Sequence, residues 1–186
     1  MASHLQRVKE VTAFVEAMEA APDPYKQLVI EPVTAVDDAL VAAFRKLTPQ
    51  LSKTSEAPDA DALRKIVEHD AVTLVAARAA YGVVGVLTLV VFPIPTGTRA
   101  WVEDVVVDEA ARGCGLGGRL LKKAVELARA AGAKTLDLTS RPSREAANRL
   151  YRRCGFEIRE TNVYRMDLKA LERRERDATY TFLTTT

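Results

Sequence analysis

The sequence predicts an α/β (α+β) fold with a central mixed, mostly antiparallel sheet flanked by helices. Three observations carry that expectation. Apolar runs at residues 71–78, 83–92 and 99–107 follow one another with only turn residues between them, the pattern of neighbouring antiparallel strands. Helical and strand patterns then alternate at 115–131, 135–140 and 143–153, which reads as a βαβ unit with a trailing helix. The length of 186 residues, 48% of them apolar, suffices for one domain with a substantial core and no metal or disulfide staples.

Each element has a local reason. Val8, Val11, Phe14, Val15 and Met18 fall at helical spacing and Pro22 and Pro24 close the segment. Residues 1–24 therefore read as a helical extension of a domain spanning 25–170. Residues 27–33 read as a strand, and Asp37 opens an amphipathic helix through Leu40, Val41, Phe44 and Leu47. The polar stretch 48–58, with two prolines, reads as a loop, and a second helix follows over 59–68. Tyr81 and Gly82 mark the turn between the first two apolar runs, and Pro93, Pro95 and Gly97 punctuate a hairpin-like connection into the third. Beyond the helix at 143–153, short strands are expected near 155–158 and 162–168, followed by a weakly patterned tail at 171–186.

Composition excludes several function classes. With 27 Lys and Arg against 25 Asp and Glu, the net charge of +2 is too near balance for a dedicated polyanion binder, so no nucleic-acid partner is expected. The longest apolar stretch, 83–92, is too short to span a bilayer, and residues 1–21 lack the apolar block of a signal peptide, so neither membrane association nor export is expected. Cys114 and Cys154 are too few for a disulfide framework or a four-ligand zinc site, and His4 and His69 lie far from both. No metal and a reduced, cytoplasmic setting are the expectation.

The densest signal is Arg112-Gly113-Cys114-Gly115-Leu116-Gly117-Gly118, between a strand and a helix. Four glycines in six positions let a ligand approach the backbone, and the helix that opens there offers unpaired N–H groups and a positive dipole end, which suit a phosphate or pyrophosphate. A turn that merely permits tight helix–strand packing is the structural alternative. Dinucleotide binding competes too, because Gly113, Gly115 and Gly118 satisfy G-x-G-x-x-G and Asp137 lies on the next strand. Against it, residues 108–112 separate the strand from the first glycine, and the loop lies past the middle of the chain. A phosphate loop of the Lys-Ser or Lys-Thr type is excluded, because neither pair closes the glycine run.

The segment 105–117, Val-Val-Val-Asp-Glu-Ala-Ala-Arg-Gly-Cys-Gly-Leu-Gly, resembles motif A of the GNAT superfamily of acetyl-CoA-dependent N-acetyltransferases, with its Arg/Gln-x-x-Gly-x-Gly/Ala signature. The segment 147–156, Ala-Asn-Arg-Leu-Tyr-Arg-Arg-Cys-Gly-Phe, resembles the family's motif B, and the element order over 27–168 fits the family's fold. The resemblance implies that the backbone of Gly113, Cys114, Gly115, Leu116, Gly117 and Gly118 holds the coenzyme A pyrophosphate. It also implies that the backbone of Val105, Val106 and Val107 pairs with the pantetheine arm. Arg112 is a candidate phosphate contact. Where many members carry an Asn that contacts the cofactor, this chain has Arg144, with Asn148 one turn on as a substitute.

Amine acetylation needs a neutral nucleophile, a stabilised oxyanion and a proton for the departing thiolate. Tyr151 lies at the family's general-acid position, although its helix face, shared with Ala147, Leu150 and Cys154, would equally suit a core aromatic. Glu103 and Asp104 interrupt an apolar strand, where charge is expensive unless paired or functional, and are the candidate bases. Their alternation sends only one of them toward the acceptor, and burial of a carboxylate makes it a better base. Pairing with arginines is the structural alternative. The Glu-Asp-Val-Val-Val run is similar to that of the glucosamine-phosphate N-acetyltransferases within the superfamily. Cys114 is discounted as a covalent nucleophile, lacking a nearby His in sequence.

The resemblance implies direct transfer from acetyl-CoA to a primary amine of a small polar molecule, without a metal. It also places the loop 48–58, the helices within 37–68 and the connection 93–97 around the acceptor. Acetylation of a protein lysine or N-terminus, and a silent acyl-CoA-binding module, are the alternatives. Homodimerisation through the N-terminal helix or edge strands is compatible with the sequence.

Overall fold

The computed structural model describes residues 28–170, so the expected helix within 1–24 and the tail at 171–186 lie outside the described residues. The chain falls into two compact units, Met1–Phe156 and Glu157–Thr186. In the first, the order is β1 (Val29–Pro32), α1 (Asp38–Leu51), α2 (Ala60–Val67), β2 (Val72–Ala79), β3 (Gly82–Ile94), β4 (Gly97–Val107), α3 (Leu116–Ala130), β5 (Thr135–Leu138) and α4 (Glu145–Arg153). The five strands form one sheet in sequence order, antiparallel from β1 to β4 and parallel between β4 and β5. This is the mixed, mostly antiparallel sheet that the sequence predicts.

Helix starts follow the sequence closely. The Asp37 carboxylate accepts from the backbone N–H of Leu40 at 2.7 Å, and that of Asp59 from Ala62 at 2.8 Å, which caps α1 and α2. The sheet is buried on both faces, so β2 reads as a nearly continuous apolar run. Val75 and Ala77 face α3 and α4 together with Leu87, Leu120, Leu121 and Tyr151. Leu74 and Ala76 face α1 and α2 together with Leu40, Leu47 and Leu63.

Three expectations are corrected. Residues 48–51 are helical: α1 runs through Pro49 to Leu51, and the backbone N–H of Ser52 donates to Thr48 O at 2.9 Å. Pro49 removes one helical N–H, but Thr48 is buried and Leu51 packs on the core, so tertiary contact overrides the break. The hairpin between β3 and β4 is tighter than expected, because Pro93 pairs with Thr98 and Ile94 with Gly97. Pro93 is tolerated because β2 reaches only Val90 and leaves that end of β3 open on one side. Finally, no strand forms at 155–158 or 162–168.

Helix capping explains the loss at 155–158. Gly155 adopts φ +88°, its N–H donates to Arg152 O at 3.0 Å, and the N–H of Phe156 reaches Tyr151 O at 3.0 Å. That left-handed glycine cap closes α4 and folds Phe156 back. In the second unit, residues 162–168 form no ladder among the described residues, and Val163, Tyr164, Met166 and Leu168 stand exposed.

Candidate active site

A bulge in β4 shapes the site. Val86 pairs with Val106 and Thr88 with Glu103, so Asp104 and Val105 together oppose the single residue Leu87, and Asp104 adopts φ +52°. The extra residue reverses the alternation. Val102 belongs to the core on the α3 side, whereas Val106, four residues on, belongs to the core on the α1 side. Val105 and Val107 consequently turn toward α3 and α4. Pairing of β4 with β5 ends at Val102 and Leu138, so the β5-facing edge of β4 beyond that point has no strand neighbour among the described residues.

Between this free edge and the starts of α3 and α4 lies a cavity of about 780 Å³. Val105, Val106, Val107 and Leu116 form its apolar wall, with Gly113, Gly115, Gly117 and Gly118 at the start of α3. Arg112, Arg144, Arg149 and Arg153 supply positive charge, and Tyr151 completes the wall from α4. The motif residues separated by nearly fifty positions thus meet at one cavity.

The glycines serve two different ends. Gly113 and Gly115 adopt φ +86° and +74°, which other residues seldom do, and nothing lies within 4 Å of where a β-carbon would stand. No side chain caps α3 at Gly115, in contrast to α1 and α2. The first N–H groups of the helix are therefore available to an anion, beside an arginine cluster, and this donor set fits a polyphosphate. Gly117 instead serves packing: a β-carbon there would stand 2.7 Å from Leu150 Cδ2 on α4.

Tyr151 is 8% exposed, and its ring meets Phe156 edge-on with centroids 6.1 Å apart. The Gly-Phe pair of the motif thereby holds the tyrosine in place. The Tyr151 hydroxyl forms no hydrogen bond among the described residues. Burial pushes the phenol above its ordinary value, with the Arg144 guanidinium opposing that shift. Tyr151 keeps its proton at neutral pH, as an ordinary phenol does, and burial reinforces this.

Other expected residues lie outside the cavity wall. The Asn148 amide donates to Arg141 O at 2.9 Å and to Pro142 O at 3.4 Å, stapling the loop before α4. Cys114 is exposed, as a free thiol. The burial expected at one of Glu103 and Asp104 is absent: the bulge lies on the stretch of β4 beyond its pairing with β5, and both side chains are exposed. Glu103 is held nonetheless: Trp101 Nε1 donates to its Oε1 at 2.8 Å.

Sequence reasoning missed Gln50. Its Oε1 accepts from the backbone N–H of Glu109 at 2.9 Å and from Arg112 Nη2 at 3.2 Å, and it lines the cavity. No sequence signal marks it, because it lies in a stretch that reads as a loop. Of the charged residues near the expected acceptor region, Lys46 pairs with Asp108, Asp61 with Arg64, and Asp59 caps α2. Among the described residues, no group of three or more His, Cys, Asp or Glu stands close enough to hold a metal ion, and no helix is long and apolar enough to cross a membrane.

Comparisons with known proteins bear on the family and the fold. Over 60 residues the chain is 49% identical to the Probable glucosamine 6-phosphate N-acetyltransferase 2 of Oryza sativa subsp. japonica. That stretch covers 32% of this chain and 34% of the relative, so the likeness spans about a third of the relative's length. Among solved structures, a putative acetyltransferase from Agrobacterium tumefaciens superposes with a TM-score of 0.66 at 21% identity, over 75% of this chain and 99% of that one. The glucosamine-6-phosphate N-acetyltransferase of Arabidopsis thaliana superposes with a TM-score of 0.61 at 16% identity, over 76% and 99% of the two chains. Both likenesses concern the fold. The acetyltransferase (GNAT) family model matches residues 36–156, the stretch that contains α1, the glycine loop and Tyr151, and the chain belongs to that family.

Proposed function

We propose that the protein transfers the acetyl group of acetyl-CoA directly to a primary amine of a small polar molecule. The observation that carries this reading is the shared cavity of Tyr151 and the uncapped, glycine-rich start of α3. Acetyl-CoA supplies an activated acyl group and a thiolate leaving group. In this reading the N–H groups at 113–118 bind the pyrophosphate, with Arg112 and Arg144 adding charge. The free edge of β4 at Val105, Val106 and Val107 offers backbone donors and acceptors to an extended pantetheine arm. Tyr151 holds its proton at Oη for the departing sulfur.

Glu103 is the proposed base, taking the acceptor's proton through water. Of the two adjacent carboxylates it has the fixed side chain, and an exposed base suits a polar acceptor arriving from solvent. The likeness to the rice protein named for glucosamine 6-phosphate makes a phosphorylated amino sugar the first acceptor to try. An acceptor screen monitored by free-thiol release tests the reading, with glucosamine 6-phosphate, other amino sugars, polyamines and lysine peptides. Thiol release with a small amine supports it. Release with peptides alone assigns a protein acceptor. Coenzyme A binding without release on any amine identifies a silent module.

A further inference from the structure

We propose that Gln50, on the last turn of α1, is a positioning residue that sets Arg112 and the loop ahead of α3 for phosphate binding. The inference rests on the coenzyme A reading above. Three bonds from Gln50 converge on one stretch of chain. Its Oε1 accepts from Glu109 N at 2.9 Å and Arg112 Nη2 at 3.2 Å, and its Nε2 donates to Asp108 Oδ1 at 3.5 Å. Nε2 also donates to Lys46 O at 3.2 Å, within α1. The amide has one workable orientation, because a flip would set its NH₂ against two donors and its carbonyl against two acceptors.

The neighbouring contacts give the same direction. Asp108 is 3% exposed, and its carboxylate pairs with Lys46, one helical turn before Gln50, while accepting from Ala110 N at 3.3 Å. Lys46 and Gln50 thus form one face of α1 that grips residues 108–112. Arg112 Nε donates to Val107 O at 3.1 Å, so two of the five guanidinium N–H groups are fixed by protein and three are left for an anion. The glycines that follow cannot hold this geometry themselves, because Gly113 and Gly115 carry no side chain and have open space around them. α1 therefore anchors the short 3-10 turn Glu109–Ala111 that leads into the glycines. Ordering the loop in advance lowers the entropy lost on binding.

The test uses the full chain, with Gln50→Met as a near-isostere lacking both hydrogen-bonding ends, Gln50→Ala, Arg112→Ala and the Gln50→Met/Arg112→Ala double variant. Coenzyme A affinity is measured by calorimetry, and pantetheine, which lacks the phosphates, by competition against it. Gln50→Met and Gln50→Ala should weaken coenzyme A about tenfold, the size of one charge-assisted hydrogen bond, and leave pantetheine unchanged. In the double variant the two losses should fail to add, because both act through the same guanidinium. Equal losses for both ligands would reduce Gln50 to a structural residue and overturn the inference, as would wild-type coenzyme A affinity in both Gln50 variants. Fully additive losses would overturn it as well. A wild-type protein that binds no coenzyme A removes the underlying reading instead.

Discussion

Leu150 Cδ2 lies 2.7 Å from where a β-carbon on Gly117 would stand, so the absence of one side chain sets how closely α4 approaches α3. Both residues line the cavity, which makes that approach a determinant of its width. Gly117→Ala should displace the Leu150 side chain rather than the backbone. The cost of an off-rotamer Leu150, about 1 kcal/mol, is offset by the roughly 0.5–1 kcal/mol gained when alanine replaces a helical glycine, so urea denaturation should show little net change in stability. Acetyl-CoA KM should rise at the same time, because Leu150 moves into the cavity.

Gly115 makes the opposite case. Space around it is open, and the demand is conformational, at φ +74°. A β-branched residue is especially poor in that region. Gly115→Val should therefore flip the turn, misalign the first N–H groups of α3 and abolish coenzyme A binding in calorimetry, while far-UV circular dichroism stays native. Wild-type affinity in this variant would remove the glycine loop from the binding site.

The parts of this site that are legible in the sequence are those encoded locally. The glycine loop announces an uncapped helix start, and Tyr151 followed by Gly155-Phe156 is a helix face with its own C-terminal cap. The same cap explains the error nearby, since Gly155 and Phe156 read as a strand start but are spent closing α4. Gln50 was illegible because its partners lie 59 and 62 residues away and because Pro49 reads as a helix breaker. The bulge at Asp104 was equally hidden. It exists only in the pairing of β4 with β3, and without it Glu103 and Asp104 read as a simple alternating pair.

Tyr151 connects the chemistry to pH. The native state holds the phenolic proton more tightly than the unfolded chain, because burial raises the phenol. Below the ordinary phenol value of 10.0 both states are protonated and the group has no effect on stability. Above it the unfolded chain ionises first, so it binds fewer protons and stability falls as pH rises. Tyr151→Phe should remove that part of the alkaline loss and match the wild type at neutral pH, as measured by denaturation at several pH values. Turnover should drop by roughly 10²-fold or more, the usual contribution of a general acid, with acetyl-CoA affinity retained. Unchanged turnover, with chemistry rate-limiting, would remove Tyr151 from the mechanism.

The neighbouring carboxylates can be separated by what each one does for the backbone. Asp104 occupies a left-handed conformation that costs an ordinary L-residue roughly 1–2 kcal/mol, and aspartate is among the residues that tolerate it. Asp104→Gly should accordingly be neutral or stabilising and keep the bulge, whereas Asp104→Val should destabilise and disturb the turn of Val105 toward the cavity. Glu103 has ordinary backbone and a fixed side chain, so its substitution should leave stability nearly unchanged. If Glu103 is the base, Glu103→Gln lowers turnover roughly 10²-fold, and Trp101→Phe, which frees the carboxylate without removing it, gives a smaller loss. Raising the assay pH increases the neutral fraction of the acceptor amine and should rescue Glu103→Gln in part, a recovery that Asp104→Val should not show. The reverse pattern, with Asp104→Gly inactive and Glu103→Gln fully active, would transfer the role to Asp104.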